Sequence, residues 1–284
     1  MKFLSYTRLG QQSFGLVVEG GILDLAGKLA GDVVTLKDAI ARDLLADAAA
    51  FAKGRSADFT LADVALLPVI PDPAKILCVG LNYASHKAET KRPDVLHPTI
   101  FTRFADTQIA HRQPILMPHV STALDWEAEL AVVIGKGGRY IERGDAMGHV
   151  AGYACYNDAT IRDWQRHTFQ FTPGKNFPST GAFGPHLVTP DELGDLAEIR
   201  IQGRLNGEIM QDAHLADLLF PIDQLISYCS SFTPLRPGDV ILTGTPGGVG
   251  DRREPPLYMK EGDVFEVEID RVGLLSNRVE LDMR

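Results

Sequence analysis

Cysteine is scarce. Three in 284 residues, Cys78, Cys155 and Cys229, are odd in number and include no C-x-x-C pair. A disulfide framework, a zinc ribbon and a dithiol redox motif are therefore excluded, and reduced, buried thiols are expected. Long apolar runs are also missing: none approaches the roughly 18 to 20 residues that cross a bilayer. Met1-Lys2-Phe3-Leu4-Ser5 leads into a polar, strand-like stretch and does not resemble a signal sequence. A cytoplasmic protein without membrane contact is the expectation. Positive charge forms no block, and 28 Lys and Arg stand against 37 Asp and Glu for a net charge of −9. That balance argues against nucleic acid as partner. It leaves room for a small anionic substrate where local cations offset the field. No internal repeat is visible, and the glycine-rich stretch at 244–250 lacks the Gly-Lys-Ser/Thr ending of a phosphate-binding loop.

What is present is ordinary globular material, 45% hydrophobic and 23% charged. The sequence reads as a small module over residues 1–70 followed by a larger domain over 71–284. In the module, Met1 to Arg8 and Ser13 to Val18 alternate like strands, and Leu36 to Lys53 reads as one amphipathic helix. Pro68, Pro71 and Pro73 mark the connection. The stretch Leu124 to Gly135, L-D-W-E-A-E-L-A-V-V-I-G, is the most informative. As a strand it puts Glu127 and Glu129 on one face, roughly 6.6 Å apart along the chain, and Trp126, Ala128, Leu130, Val132 and Ile134 on the other. Two readings fit the pair: a solvated acidic edge, or half of a divalent-cation site.

Three further segments carry candidate chemistry. Ala74 to Gly80 reads as a buried strand running into a helix capped by Asn82, on which His86 and Glu89 are neighbours at i and i+3. That pair suits either a surface ion pair or an imidazole oriented by a carboxylate for base catalysis. Thr90 to Gln113 reads as a long loop or lid bearing Arg92, Arg103 and Arg112. Val150 to Tyr156 is a buried strand ending near Asp158, which can cap a helix or serve as a third carboxylate ligand. Arg162 and Gln165 then share a helix face, and Lys175 follows in a turn-rich segment where it can stabilise an oxyanion. Farther on, Asn206-Gly207 signals a hairpin, Leu218 to Tyr228 a helix, and Pro237 to Gly250 a strand feeding a glycine-rich loop, where glycine and Thr245 let a ligand approach the backbone.

Five blocks in order, V-G-L-N-Y-A-S-H-K-A-E, D-W-E-A-E-L-A-V-V-I-G-K, Y-N-D-A-T-I-R-D-W-Q, G-K-N-F and G-D-V-I-L-T-G-T-P-G-G-V-G, resemble the fumarylacetoacetate hydrolase family. The resemblance implies an α+β, mostly β fold, a mixed β-roll or β-sandwich catalytic domain behind a small N-terminal α/β domain, assembled as a homodimer. It implies Glu127, Glu129 and Asp158 as ligands of Mg²⁺ or Mn²⁺. It implies His86 and Glu89 as a water-activating dyad, and Arg162, Gln165 and Lys175 as the oxyanion and carbonyl site. Tyr83, Arg103, Gly244 and Thr245 are implied to contact the substrate, a small anionic 2-oxo acid. The expected reaction is hydrolytic C–C cleavage of an acylpyruvate-type acid, giving pyruvate. The alternatives are decarboxylation of oxaloacetate or isomerisation of a 2-hydroxy-dienoate on the same site, and a catalytically silent metal or 2-oxo acid binding protein.

Overall fold

The computed structural model describes residues 1–90 and 96–283. Its strand Ala128–Ile134 is buried at every position, and both of its faces are covered. On one face Leu130, Val132 and Ile134 join Ile201, Phe265, Val267 and Leu275 in one core; on the other, Ala131 and Val133 join Leu36, Ala39 and Ile40 in a second. That two-sided cover is the physical reason for the near-continuous apolar run. Trp126 stacks on Phe265 at 5.7 Å between ring centroids, anchoring the start of the strand.

Among the described residues the main sheet has 11 strands. Its principal path runs Gly21–Asp24, Gln11–Val18, Lys2–Arg8, Gly181–Val188, Val150–Asp158, Ala128–Ile134, Val240–Leu242, Ile76–Gly80, Thr99–Arg103. Pairing along this path is antiparallel except where Val240–Leu242 runs parallel to Ile76–Gly80. A five-stranded sheet, Glu208–His214, Arg200–Leu205, Val264–Ile269, Gly273–Leu281 and Ile115–Met117, packs over the first core. The fold is mostly β with mixed sheets, as expected. Residues 1–70 share the main sheet, because Lys2–Arg8 pairs with Gly181–Val188. The prolines at 68–73 mark a connection and no gap in that sheet. No helix among the described residues is long and apolar enough to cross a membrane. All three cysteines are free and buried.

Four local expectations are corrected. The single helix over 36–53 is two, Leu36–Ala41 and Leu45–Ala52. Asp43 turns left-handed at φ 57° and Leu44 N–H donates to Ala39 C=O, a six-to-one closure that ends a helix whatever the periodicity beyond it. Among the described residues Asn82 is seen to cap no helix: its amide donates to the carbonyls of Phe220 and Thr243 and accepts from Phe220 N–H, clasping three segments. The stretch expected as a loop over 90–113 contains the strand Thr99–Arg103 on the sheet edge. The helix expected over 218–228 is Ile222–Phe232, starting after Pro221, which has no N–H to place inside a helix. The hairpin at Asn206-Gly207 forms, with φ 51° and 83° at the two turn residues.

Candidate active site

Glu127, Glu129 and Asp158 converge because two neighbouring strands begin and end together. Ala128 faces Asn157 in antiparallel register, and Asp158 N–H donates to Glu127 C=O at 2.9 Å. The three residues each offer an oxygen, all within 4.8 Å of one another, and all are buried. Lys175, from the short helix Thr172–Lys175 and 1% exposed, donates to Glu127 at 2.6 Å and to Asp158 at 2.5 Å. Arg162 lies 2.8 Å from the other Glu127 oxygen and donates to Gln165 at 3.0 Å. Its Nη2 has no partner among the described residues, although Arg162 is buried and lines the pocket. A buried donor left open in this way is an offer to a ligand oxygen.

The charges do not balance. Asp125, Glu127, Glu129 and Asp158 face three cations, Arg103, Arg162 and Lys175. Burial and the neighbouring Asp158 and Glu127 charges push the Glu129 carboxyl well above the usual range. Burial alone would raise Glu127 too, but Lys175 and Arg162 lower it to about 2. Burial would depress the Lys175 ammonium, yet Asp158 and Glu127 hold it above its ordinary value. An uncompensated buried carboxylate of this kind is stabilised by a proton or by a cation. Three hard oxygen donors suit Mg²⁺ or Mn²⁺ and leave coordination positions free. The donor set therefore fits the cation that the sequence implied.

The glycine loop closes the same site. Gly244 N–H donates to Glu129 at 2.8 Å, with Gly244 at φ 100°. Thr245 donates to Ala128 C=O, and Gln211 holds Thr245 and Pro246 from behind. His86 is 7% exposed, with Nδ1 3.4 Å from Glu89. Glu89 also accepts Gly248 N–H at 2.6 Å, which ties its helix to the loop. His86, Glu127, Glu129, Arg162, Gln165, Lys175 and Thr245 line one cavity of about 280 Å³, with Val79, Phe101 and Phe171 among its apolar walls.

Other expected residues lie elsewhere. Arg103 is on the strand Thr99–Arg103, behind Asp158, where it donates to Asp158 at 2.7 Å, to Ala159 C=O and to Thr180. Its Nη1 and Nη2 are thus engaged inside the protein, and Arg103 is not among the cavity walls. Tyr83 is fully buried, its hydroxyl without a hydrogen-bond partner among the described residues. Arg112 is exposed on a left-handed turn away from the cavity, and Arg92 lies outside the described residues. Sequence reasoning missed Asp125. It is wholly buried, accepts from Arg162 Nε at 2.7 Å, and takes the N–H groups of Trp126, Gly250 and Asp251. Asp125 opens the most informative stretch, but only folding brings it under Arg162. Gln211 carried no signal at all.

Residues 75–280 match the family described as fumarylacetoacetate (FAA) hydrolase C-terminal. The chain belongs to the fumarylacetoacetate hydrolase family. Similar members include the mitochondrial oxaloacetate tautomerase FAHD2A of Bos taurus, 43% identical over 219 residues, 76% of this chain and 70% of that one. The 5-carboxymethyl-2-hydroxymuconate delta-isomerase of Mycobacterium smegmatis aligns with a TM-score of 0.79 at 28% identity, over 99% of this chain and 100% of that one. The maleylpyruvate hydrolase of Sphingobium sp. SYK-6, solved with manganese(II) and pyruvate, aligns with a TM-score of 0.83 at 26% identity over 100% of both chains. The fumarylacetoacetate hydrolase family thus spans tautomerase, isomerase and hydrolase members.

Proposed function

We propose that the chain is a divalent-cation-dependent enzyme that moves a proton on an enolisable 2-oxo acid, interconverting keto and enol forms of an oxaloacetate-type substrate. One observation carries this reading: the buried Glu127 and Glu129 open onto the same cavity as His86, Arg162 and Lys175. The identity to oxaloacetate tautomerases supports it. Glu127, Glu129 and Asp158 are the residues that would hold Mg²⁺ or Mn²⁺. When bound, that ion supplies Lewis-acid polarisation of the substrate's 2-oxo group.

The chain's own residues do the rest. Glu89 beside Nδ1 of His86 favours the tautomer protonated there and leaves Nε2 as the free ring nitrogen. Nε2 accepts the proton from the carbon next to the 2-oxo group and returns it to the oxygen, giving the enol; the reverse order gives the keto form. Arg162 Nη2 donates to a substrate oxygen, and the Lys175 ammonium offsets the charge that develops there. Phe101 and Phe171, 5.6 Å apart edge to face, exclude water from one wall.

The second reading is hydrolytic cleavage of an acylpyruvate-type acid to pyruvate, favoured by the His86–Glu89 pairing. There Nε2 takes a proton from water, whose oxygen attacks the distal carbonyl, and Arg162, Gln165 and Lys175 stabilise the oxyanion; its collapse breaks the C–C bond, and the departing pyruvate enolate takes the proton from Nε2 at carbon. One assay separates the two. The protein with Mg²⁺, Mn²⁺ or chelator is given enol-oxaloacetate and, separately, acylpyruvates, with enol absorbance and released pyruvate both followed. We expect metal-dependent enol loss that falls at least 100-fold in His86→Ala, within the range of general-base effects. Pyruvate release from acylpyruvates at a comparable rate moves the assignment to hydrolysis. Turnover of neither substrate with either metal rejects both readings.

A further inference from the structure

The cavity has a second pole. Arg166 and Arg252 both line it, with side chains 50% and 38% exposed. One carboxylate, Asp251, serves both: Arg166 Nη2 donates to it, and Arg252 Nε lies 3.4 Å from it. Two guanidinium groups against one carboxylate leave excess positive charge at this wall, where the deep end carries excess negative charge. Asp251 is itself well anchored. Its carboxylate accepts Tyr258 Oη–H at 2.9 Å, and its N–H donates to Asp125, the residue that also holds Arg162. The two poles are therefore fixed to each other through Asp125. Val79, Phe101, Phe171 and Val249 supply apolar lining to the same cavity.

We infer that Arg252 is the residue by which this pocket reads a second carboxylate at the far end of its 2-oxo acid. The inference rests on the proposed reading of the deep end as the 2-oxo acid site. Arg252 is the better placed of the pair, because a terminal nitrogen of Arg166 is already engaged by Asp251. Among the described residues the terminal nitrogens of Arg252 make no hydrogen bond to the protein. Arg252 lines the cavity, and the planar donor fork of a guanidinium matches a carboxylate in bidentate fashion. Arg166 acts as a positioning residue, holding Asp251 and with it the wall.

The test uses the Mn²⁺-loaded full-length protein and pairs of 2-oxo acids equal in chain length, one of each pair ending in a carboxylate and the other in a methyl group: 2-oxoglutarate with 2-oxopentanoate, and 2-oxoadipate with 2-oxohexanoate. Calorimetric Kd values should favour the diacid by about tenfold in at least one pair, and less at high salt as the outer charge is screened. In R252Q that ratio should fall to near one, while Arg252→Lys should retain part of it. Arg252 is more than one-third exposed, so neither change threatens folding. Equal binding of diacid and monoacid by the wild type, or a preference that survives in R252Q, overturns the inference alone. Failure of every acid to bind the Mn²⁺-loaded protein rejects the 2-oxo acid reading of the deep end, and the inference falls with it.

Discussion

Replacing Lys175 by methionine removes one charge from the buried cluster while keeping most of the side-chain volume. Glu127 and Asp158 then lose the ammonium that sits 2.6 and 2.5 Å from them. Glu127 gives the order of magnitude. Burial would raise it, yet Lys175 first, then Arg162 and His86, bring it from 4.5 to about 2, a net difference worth about 3 kcal/mol at neutral pH. Breaking a buried pair by removing one partner falls in the same range, about 3–5 kcal/mol. The metal-free variant should therefore be less stable by about 3 kcal/mol at pH 7, or about 6 °C in Tm for a chain of this size. In the wild type the depressed Glu127 contributes stability that is fully present above about pH 4.5 and lost as pH falls toward 2. In the variant an additional carboxyl must be held protonated, with a folded-state pKa above its unfolded one. That contribution is present at low pH and lost as pH rises, so the deficit should be larger at pH 8 than at pH 6. Urea unfolding in chelator at the two pH values measures it, and added Mn²⁺ should recover part of the loss. A deficit under about 1 kcal/mol, or one that shrinks as pH rises, refutes the electrostatic account of the cluster.

Three other perturbations follow from the same geometry. Gly244→Ala adds a Cβ that would sit 2.8 Å from Asn82 Cβ and 3.0 Å from Val79 O at φ 100°; we expect about 1–3 kcal/mol lost by thermal unfolding and weakened Mn²⁺ binding, since the N–H that holds Glu129 shifts. Gln211→Leu strips the amide from Ala128 N–H, Thr245 and Pro246; it should cost about 1–3 kcal/mol in urea titration and raise KM more than it lowers kcat, because the loop moves while His86 stays. His186 is pushed down to about 4 by burial, its Nε2–H donating to Val272 C=O at 2.7 Å. Its folded state binds fewer protons than the unfolded chain between about pH 6.5 and 4, so stability is lost on acidification through that window, by about 2 kcal/mol once partial exposure is allowed for. His186→Asn should flatten that part of the Tm-against-pH curve, and an unchanged slope would assign the acid sensitivity elsewhere.

Much of the site was readable along the chain because short-range periodicity carried it. Glu127 and Glu129 two apart in an apolar run, Arg162 and Gln165 three apart, and His86 and Glu89 three apart all follow from strand and helix repeats, and each pair is found together. Arg103 enters as a substrate contact only through the family resemblance, since its place in a polar stretch suits solvated surface charge equally well. Folding turned that stretch into an edge strand and spent the guanidinium on Asp158. Lys175 showed no local signal beyond its lone position in a turn, yet it is the nearest cation to two of the three carboxylates.

By itself, then, the sequence determined the family, the mostly β character, the carboxylates, the imidazole pair and the absence of disulfides or long apolar helices. Each of these depends on residue type or on spacing within one element. Tertiary structure alone decided that Asp125 lies under both Arg162 and the 250–251 backbone, and that Gln211 braces Thr245. It also decided that Arg166 and Arg252 share Asp251 at the cavity wall while Arg103 faces inward. Apart from the neighbours Asp251 and Arg252, those contacts join residues 34 to 126 positions apart, or set which way a side chain points from a strand whose partner is remote. No periodicity encodes such pairings, because they exist only once two sheets close on a common core.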